Sequence, residues 1–264
     1  MRAAALAAAL VLLPLAEVAP QEKEEEVTIQ PDRSGFSTST DVVGAGAVQI
    51  ETGFNYGHQR IGGRPTQTQF SLEANARVGI TKDLEVGVVS VPFVRLRGDV
   101  DDTGHGDFTL NAKWRFLDSP PGSPWPDLGV QPSVTLPVAE EPFGSGKTTF
   151  GAVLLASFDL PGQLDLDLNA GMFAVGQNRP SGYLLQALVA LGLSRDFGPA
   201  VTLFTDLLYT SRSQRDGRDT VILDGGIIYR PTNALALDVS VVTSLAGQAP
   251  DWTVRAGLSV RFSR

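Results

Sequence analysis

The chain has 264 residues, with 21 Lys and Arg against 29 Asp and Glu, a formal charge of −8, and no cysteine. The acidic balance argues against electrostatic binding of nucleic acid, and the missing thiols exclude disulfides, thiol catalysis and cysteine metal sites. With 28 Gly and 17 Pro the chain is rich in turns, and 42% hydrophobic residues exclude disorder. Met1 and Arg2 precede an Ala/Leu/Val run ending at Ala16, shorter than the 18 or more apolar residues of a spanning helix. A positive start, a short apolar stretch and small residues make a secretory signal peptide, assigned to residues 1–19. Residues 20–45 form a polar lead-in, either periplasmic or folded back as a plug, and residues 46–264 the body of the protein.

From Val48 onward the apolar residues recur every second position. Val48, Ile50, Thr52, Phe54 and Tyr56 alternate with Gln49, Glu51, Gly53 and Asn55, the period of a strand with one apolar and one polar face. The same alternation predicts strands at about 46–57, 67–80, 84–97, 106–117, 127–137, 148–160, 164–175, 182–195, 200–211, 219–230, 234–244 and 252–262. Each is long enough to cross a bilayer at a tilt, which takes about 9–11 residues. Pro92 and Pro132 fall inside strands, where a residue without an N–H predicts a bulge or a break in register.

Alternation alone fits a soluble sandwich as well as a membrane barrel. The connections separate the two. Thr81–Asp83, Pro161–Gln163, Asp196–Pro199 and Pro231–Asn233 are tight, whereas His58–Thr66, Gly98–His105, Val138–Lys147, Arg212–Arg218 and Leu245–Asp251 are longer and polar. The long ones follow odd-numbered strands and the tight ones even-numbered strands, so the two rims differ as in outer-membrane barrels. Only Asp118–Pro126 departs from this rule. Aromatic residues sort the same way. Phe54, Tyr56, Phe70, Phe108, Phe150, Tyr183, Tyr209 and Trp252 fall near the long-loop rim, and Trp114, Phe116, Phe158, Tyr229 and Phe262 near the other. Two aromatic belts around an aliphatic band are what a bilayer selects. The expected fold is therefore all-β, a transmembrane antiparallel up-and-down β-barrel of about twelve strands, seated in outer-membrane lipid of a Gram-negative cell after insertion by the barrel-assembly machinery.

Several segments resemble a known family. They are Pro31-Asp-Arg-Ser-Gly-Phe-Ser-Thr-Ser-Thr-Asp41, Gly46-Ala-Val-Gln-Ile-Glu-Thr-Gly53, Gly79-Ile-Thr-Lys-Asp-Leu-Glu-Val-Gly87, Gly106-Asp-Phe-Thr-Leu-Asn-Ala-Lys-Trp-Arg-Phe116, and Leu136-Pro137 before Gly144-Ser-Gly146. Together they are similar to the outer-membrane proteins of the MetA pathway of phenol degradation. The resemblance implies a channel or transporter for small, often aromatic, compounds. It covers essentially the whole mature chain, although Val138-Ala139 stands where Thr-Gly often follows the Leu-Pro.

The polar face supplies the candidate pore-lining residues: Glu73, Arg77, Glu85, Arg95, Arg97, Asp107, Lys113, Arg115, Asp165, Asp167, Asp206, Asp224 and Arg255. With Glu51, Asp159, Asp238, Arg230 and Arg261 they make ten acids against eight bases, too even a balance to predict ion selectivity. Arg95, Arg97, Lys113 and Arg115 cluster on neighbouring strands as a basic ladder, with acids from later strands facing it. Phe173 and Phe204 belong to an apolar wall with Val153, Leu155, Val175, Leu184, Leu188, Leu208, Ile222 and Ile228 on inward positions. That wall suits an apolar or aromatic solute, a packing surface for the lead-in, or simple filling of a narrow lumen. An enzyme is not expected. His58 and His105 lie in different long loops, and no Ser is arranged beside either. Gly146-Lys-Thr148 resembles the end of a phosphate loop but joins two strands and lacks the leading Gly. No cofactor or metal is expected. The chain reads as a passive channel for small-molecule solutes, the alternative being a structural or adhesive barrel that transports nothing. Its oligomeric state is not legible.

Overall fold

The computed structural model describes residues 28–263 apart from 62, 63, 121 and 179, so the predicted signal peptide lies outside the described residues. Thirteen strands form one antiparallel sheet: β1 (Val48–Ile61), β2 (Arg64–Gly79), β3 (Leu84–Gly98), β4 (Asp102–Gly104), β5 (Phe108–Leu117), β6 (Asp127–Leu136), β7 (Thr149–Leu160), β8 (Leu164–Gln177), β9 (Gly182–Phe197), β10 (Val201–Thr210), β11 (Thr220–Thr232), β12 (Leu235–Ala246) and β13 (Trp252–Phe262). The first and last strands pair from Val48↔Phe262 to His58↔Trp252, so the sheet closes on itself. Closure is required in hydrocarbon, where each unpaired backbone group at an open edge costs several kcal/mol. β4 and β5 pair with β3 in one continuous register, Arg95↔Thr103 above and Ser90↔Phe108 below, and count as one crossing. The barrel therefore has twelve crossings.

The burial pattern is that of a protein turned inside out. Ile50, Leu110, Leu154, Leu185, Leu207, Ile227 and Val241 stand exposed on the outer wall. Gln49, Glu51, Glu85, Lys113, Asp224 and Ser259 are fully buried within. The outer wall also carries two aromatic belts. Phe54, Tyr56, Phe108, Phe150, Tyr183 and Trp252 lie toward one rim, and Trp114, Phe116, Tyr229 and Phe262 toward the other, all exposed. An outward apolar band with rings at both edges is the surface of an outer-membrane barrel.

Boundaries differ from expectation at the first two long loops; in the second, predicted at Gly98–His105, Asp102–Gly104 forms β4. The predicted loop His58–Thr66 is mostly strand, because β1 runs to Ile61 and β2 starts at Arg64. His58-Gln-Arg60 and Gln67-Thr-Gln69 carry no apolar side chain, so the apolar signal of a strand disappears there. Pro92 does sit in a bulge: the β2–β3 register shifts between Leu72 and Ala74, with one extra residue on β3. Pro132 behaves differently. The β5–β6 ladder lapses opposite it between Asn111↔Ser133 and Trp114↔Val130, but the register is the same on both sides.

Residues 28–46 lie inside the barrel. The segment enters at the short-turn rim, where the Ile29 amide donates to the Asn233 carbonyl at 2.9 Å and Ile29 packs against Ile228, Ala236 and Phe204. It then crosses the lumen. Amides of Arg33, Phe36, Thr38, Thr40 and Val43 donate in turn to Glu51, Asp206, Asn169, Ser157 and Glu85, side chains of five different strands. Its return is sealed where Gly46 donates to the Gly79 carbonyl at 2.9 Å. Glycines on the wall make room for it. A side chain at Gly53 or Gly257, partners across the β1–β13 seam, would collide with the Arg33 guanidinium, and one at Gly192 would collide with Ser37.

Candidate functional site

The inner segment is anchored by two knots of charge. In the first, cross-strand register sets Glu85 opposite Lys113 and places Arg77 on the strand between Glu51 and Glu85. Arg77 donates to both Glu85 oxygens at 2.8 and 3.0 Å and to Glu51 at 3.1 Å. Asp32 of the segment completes it, 2.7 Å from the Lys113 ammonium and 3.3 Å from the Arg77 guanidinium. Lys113 also donates to the Asp41 carbonyl at 2.9 Å. In the second knot Arg33 pairs with Asp238 and Glu73, while Arg255 pairs with Asp224 and Glu73 and stacks 5.3 Å over the Phe36 ring. Apart from Asp32 and Glu73, which are half-buried, these charges have almost no exposure, and such groups are tolerated only when paired and hydrogen bonded.

Beside the first knot is a cavity of about 230 Å³. Asp32 and Thr38 of the inner segment close one side of it. The wall contributes Asn75, Arg77, Val89, Thr109, Asn111, Gln131, Ser133, Val153 and Phe173. Amides and hydroxyls thus come from β2, β5 and β6, with Val89 of β3 set between Asn75 and Thr109, while Val153 and Phe173 of β7 and β8 make an apolar side. The Phe173 ring occupies space that side chains at Gly151 and Gly171 would fill. The site can therefore hold a flat apolar group on one side and hydrogen-bond a polar one on the other.

Of the residues the sequence nominated, Glu73, Arg77, Glu85, Lys113, Arg115, Asp165, Asp167, Asp206, Asp224, Arg255, Phe173 and Phe204 stand on the inward face. Arg77 and Phe173 line the cavity. Arg95 and Arg97 do not belong to the lumen. The bulge at Pro92 shifts the alternation of β3 by one residue, pairing Arg95 with the lipid-facing Phe70 and Arg97 with Thr68 on the outer wall. The basic ladder is reduced to Lys113 and Arg115, and the lumen loses two of its eight bases. His58 also moves, from a loop to β1, where its ring lies 5.7 Å from Trp252.

Asp32, Thr38, Asn75, Thr109, Asn111, Gln131 and Ser133 were not nominated. Three of them, Asn75, Thr109 and Asn111, share inward parity with charged residues that were, but as uncharged side chains they carry no electrostatic signal; Gln131 and Ser133 lie on β6, which has no nominated residue. The apolar wall serves two purposes: Ile228 and Phe204 pack against Ile29 of the inner segment, and Val153 and Phe173 face the cavity.

At the long-loop rim Asp107 gathers the connection between β6 and β7. Its carboxylate accepts from the Ala139 amide at 3.0 Å and from the Ser145 amide and hydroxyl at 2.8 Å each. Burial pushes this carboxyl up, but the amides of Ser145, Ala139 and Val138 and the Ser145 hydroxyl outweigh it and hold it below its ordinary value. Lys147 of the same connection donates to Ser181 at 2.6 Å, tying it to the next loop.

Solved structures share the architecture. The COG4313 outer membrane channel from Pseudomonas putida F1 superposes with a TM-score of 0.69 at 15% identity, over 89% of this chain and 100% of that one. The NanC porin superposes with a TM-score of 0.55 at 9% identity, over 81% of this chain and 98% of that one. At such identities the likeness speaks for the barrel alone. No curated protein matches the sequence. The family described as "Putative MetA-pathway of phenol degradation" matches residues 31–262, from the inner segment through the last strand, and the chain belongs to that family.

Proposed function

We propose that the barrel is a channel passing small molecules across the outer membrane, including solutes with an apolar or aromatic face, and that the inner segment is its plug. The cavity carries this reading. An apolar cavity of about 150 Å³ accepts benzene, and here about 230 Å³ adjoins Val153 and Phe173 on one side and hydrogen-bonding groups on the other. The channel and the porin that share the fold support the same reading. Movement onward to the periplasmic rim is obstructed by residues 28–46, so transport requires that segment to shift.

Liposome swelling tests the proposal with phenolic, sugar and amino-acid solutes, using the mature chain and a variant lacking residues 20–45. Faster entry of phenolic solutes is expected for the mature chain, with a large increase for all solutes after the deletion. No swelling from either protein, with both folded, would favour a structural or adhesive barrel.

A further inference from the structure

The two arginines that leave the lumen point to a lipid site. We infer that Arg95 and Arg97 bind the phosphate groups of lipopolysaccharide at the outer leaflet. Cross-strand pairing places Arg97, Thr68, His58 and Trp252 in one row over β3, β2, β1 and β13. The next row toward the membrane holds Arg95, Phe70 and Tyr56. Below these, Phe93 lies edge-on to Phe70 at 6.1 Å, and Phe54 stacks on Phe70 at 6.2 Å. The arginines thus sit level with the upper rings of the aromatic belt, at the height where rings meet lipid headgroups.

Their side chains suit an anion. Arg95 is held in place by the Thr103 hydroxyl at 2.6 Å and the Asp101 carboxylate. Arg97 is exposed, and its guanidinium has no protein partner among the described residues. Exposed Arg60, two residues beyond His58 on β1, adds a third positive charge to the outer wall, its amide donating to Asp251 at 2.8 Å. A planar guanidinium favours phosphate oxygens, which accept two parallel hydrogen bonds from it. At the long-loop rim the bilayer surface is formed by lipopolysaccharide, whose phosphates are attached directly to the glucosamine sugars above the acyl chains. An arginine turned outward at this level meets those phosphates. One shifted residue in β3 is what turns both arginines there.

Native mass spectrometry of the mature protein, extracted in mild detergent and titrated with lipopolysaccharide lacking O-antigen, tests this. The wild type should retain the lipid, and the R95A/R97A variant should retain it about tenfold less. R195A should match the wild type, because Arg195, stacked over Phe197 at 5.2 Å, belongs to the opposite rim. A heat-dependent gel shift reports folding of each variant, and R97Q serves if R95A/R97A does not fold. Equal retention by wild type and variant would overturn the inference. So would undiminished binding of dephosphorylated lipopolysaccharide, or displacement by an equal concentration of phosphatidylglycerol.

Discussion

Lys113 has no solvent exposure, and its ammonium satisfies Asp32 and the Asp41 carbonyl at once. Replacing it by Met keeps most of the side-chain volume but leaves Asp32 and Glu85 with Arg77 as their remaining cation. Losing one partner of a buried ion pair typically costs about 3–5 kcal/mol. K113M should destabilise the barrel by that order, measured by tryptophan fluorescence during urea unfolding in lipid. D32N should free the inner segment at a smaller cost, because the wall keeps its own Arg77–Glu85 and Arg77–Glu51 pairs, and single-channel conductance should rise. Asp107 gives a pH dependence. Its carboxyl is held below the ordinary value of about 3.9, so its hold on the β6–β7 loop is complete above that value. The hold is lost as pH falls through the depressed value. A fluorophore at Glu140 should report a fixed loop at neutral pH and a mobile one in strong acid, and D107N should give the mobile signal at every pH.

Among the elements, the strands and the rims were legible because lipid and lumen demand opposite chemistry at successive residues. The inner segment was legible only as one of two alternatives, a periplasmic lead-in or a plug, and its bonding explains why its path was not. Its amides at Arg33, Phe36, Thr38, Thr40 and Val43 do the holding, and nearly every residue has an amide. No period or composition marks them. The arginines were misplaced for a related reason: Pro92 signalled a break, but the sequence does not show whether a break inserts a residue, and one inserted residue reverses both faces beyond it. Pro132 shows the other outcome, a lapse without insertion. Deleting Pro92 should therefore remove the bulge, set Val91 opposite Glu73, and leave residues 95 and 97 on the outer wall. A cysteine at position 97 should react with bulky reagents confined to the detergent phase in both the deletion and the wild-type background, and protection in either would contradict the register.

For the whole molecule, moving two arginines outside changes the charge of the pore. Glu51, Glu73, Glu85, Asp107, Asp159, Asp165, Asp167, Asp206, Asp224 and Asp238 now face Arg77, Lys113, Arg115, Arg230, Arg255 and Arg261, ten carboxylates against six cations. A lumen with that imbalance attracts cations. The barrel lacking residues 20–45 should pass potassium in preference to chloride, read from the reversal potential across a salt gradient. A ratio at or below one would refute it. The cavity near Arg77 and Asp32 stays close to neutral, which suits an uncharged solute better than an organic anion.

The glycine pair that receives Arg33 lies on the ladder where the first strand meets the last. Its seat does not exist until that ladder has zipped. A segment still outside when the sheet curls shut could reach the seat only by threading through an end of the finished cylinder. A segment already inside meets β1 and β13 together and holds them in register while they join. Two missing side chains thus tie the seating of Arg33 to the closure of the sheet.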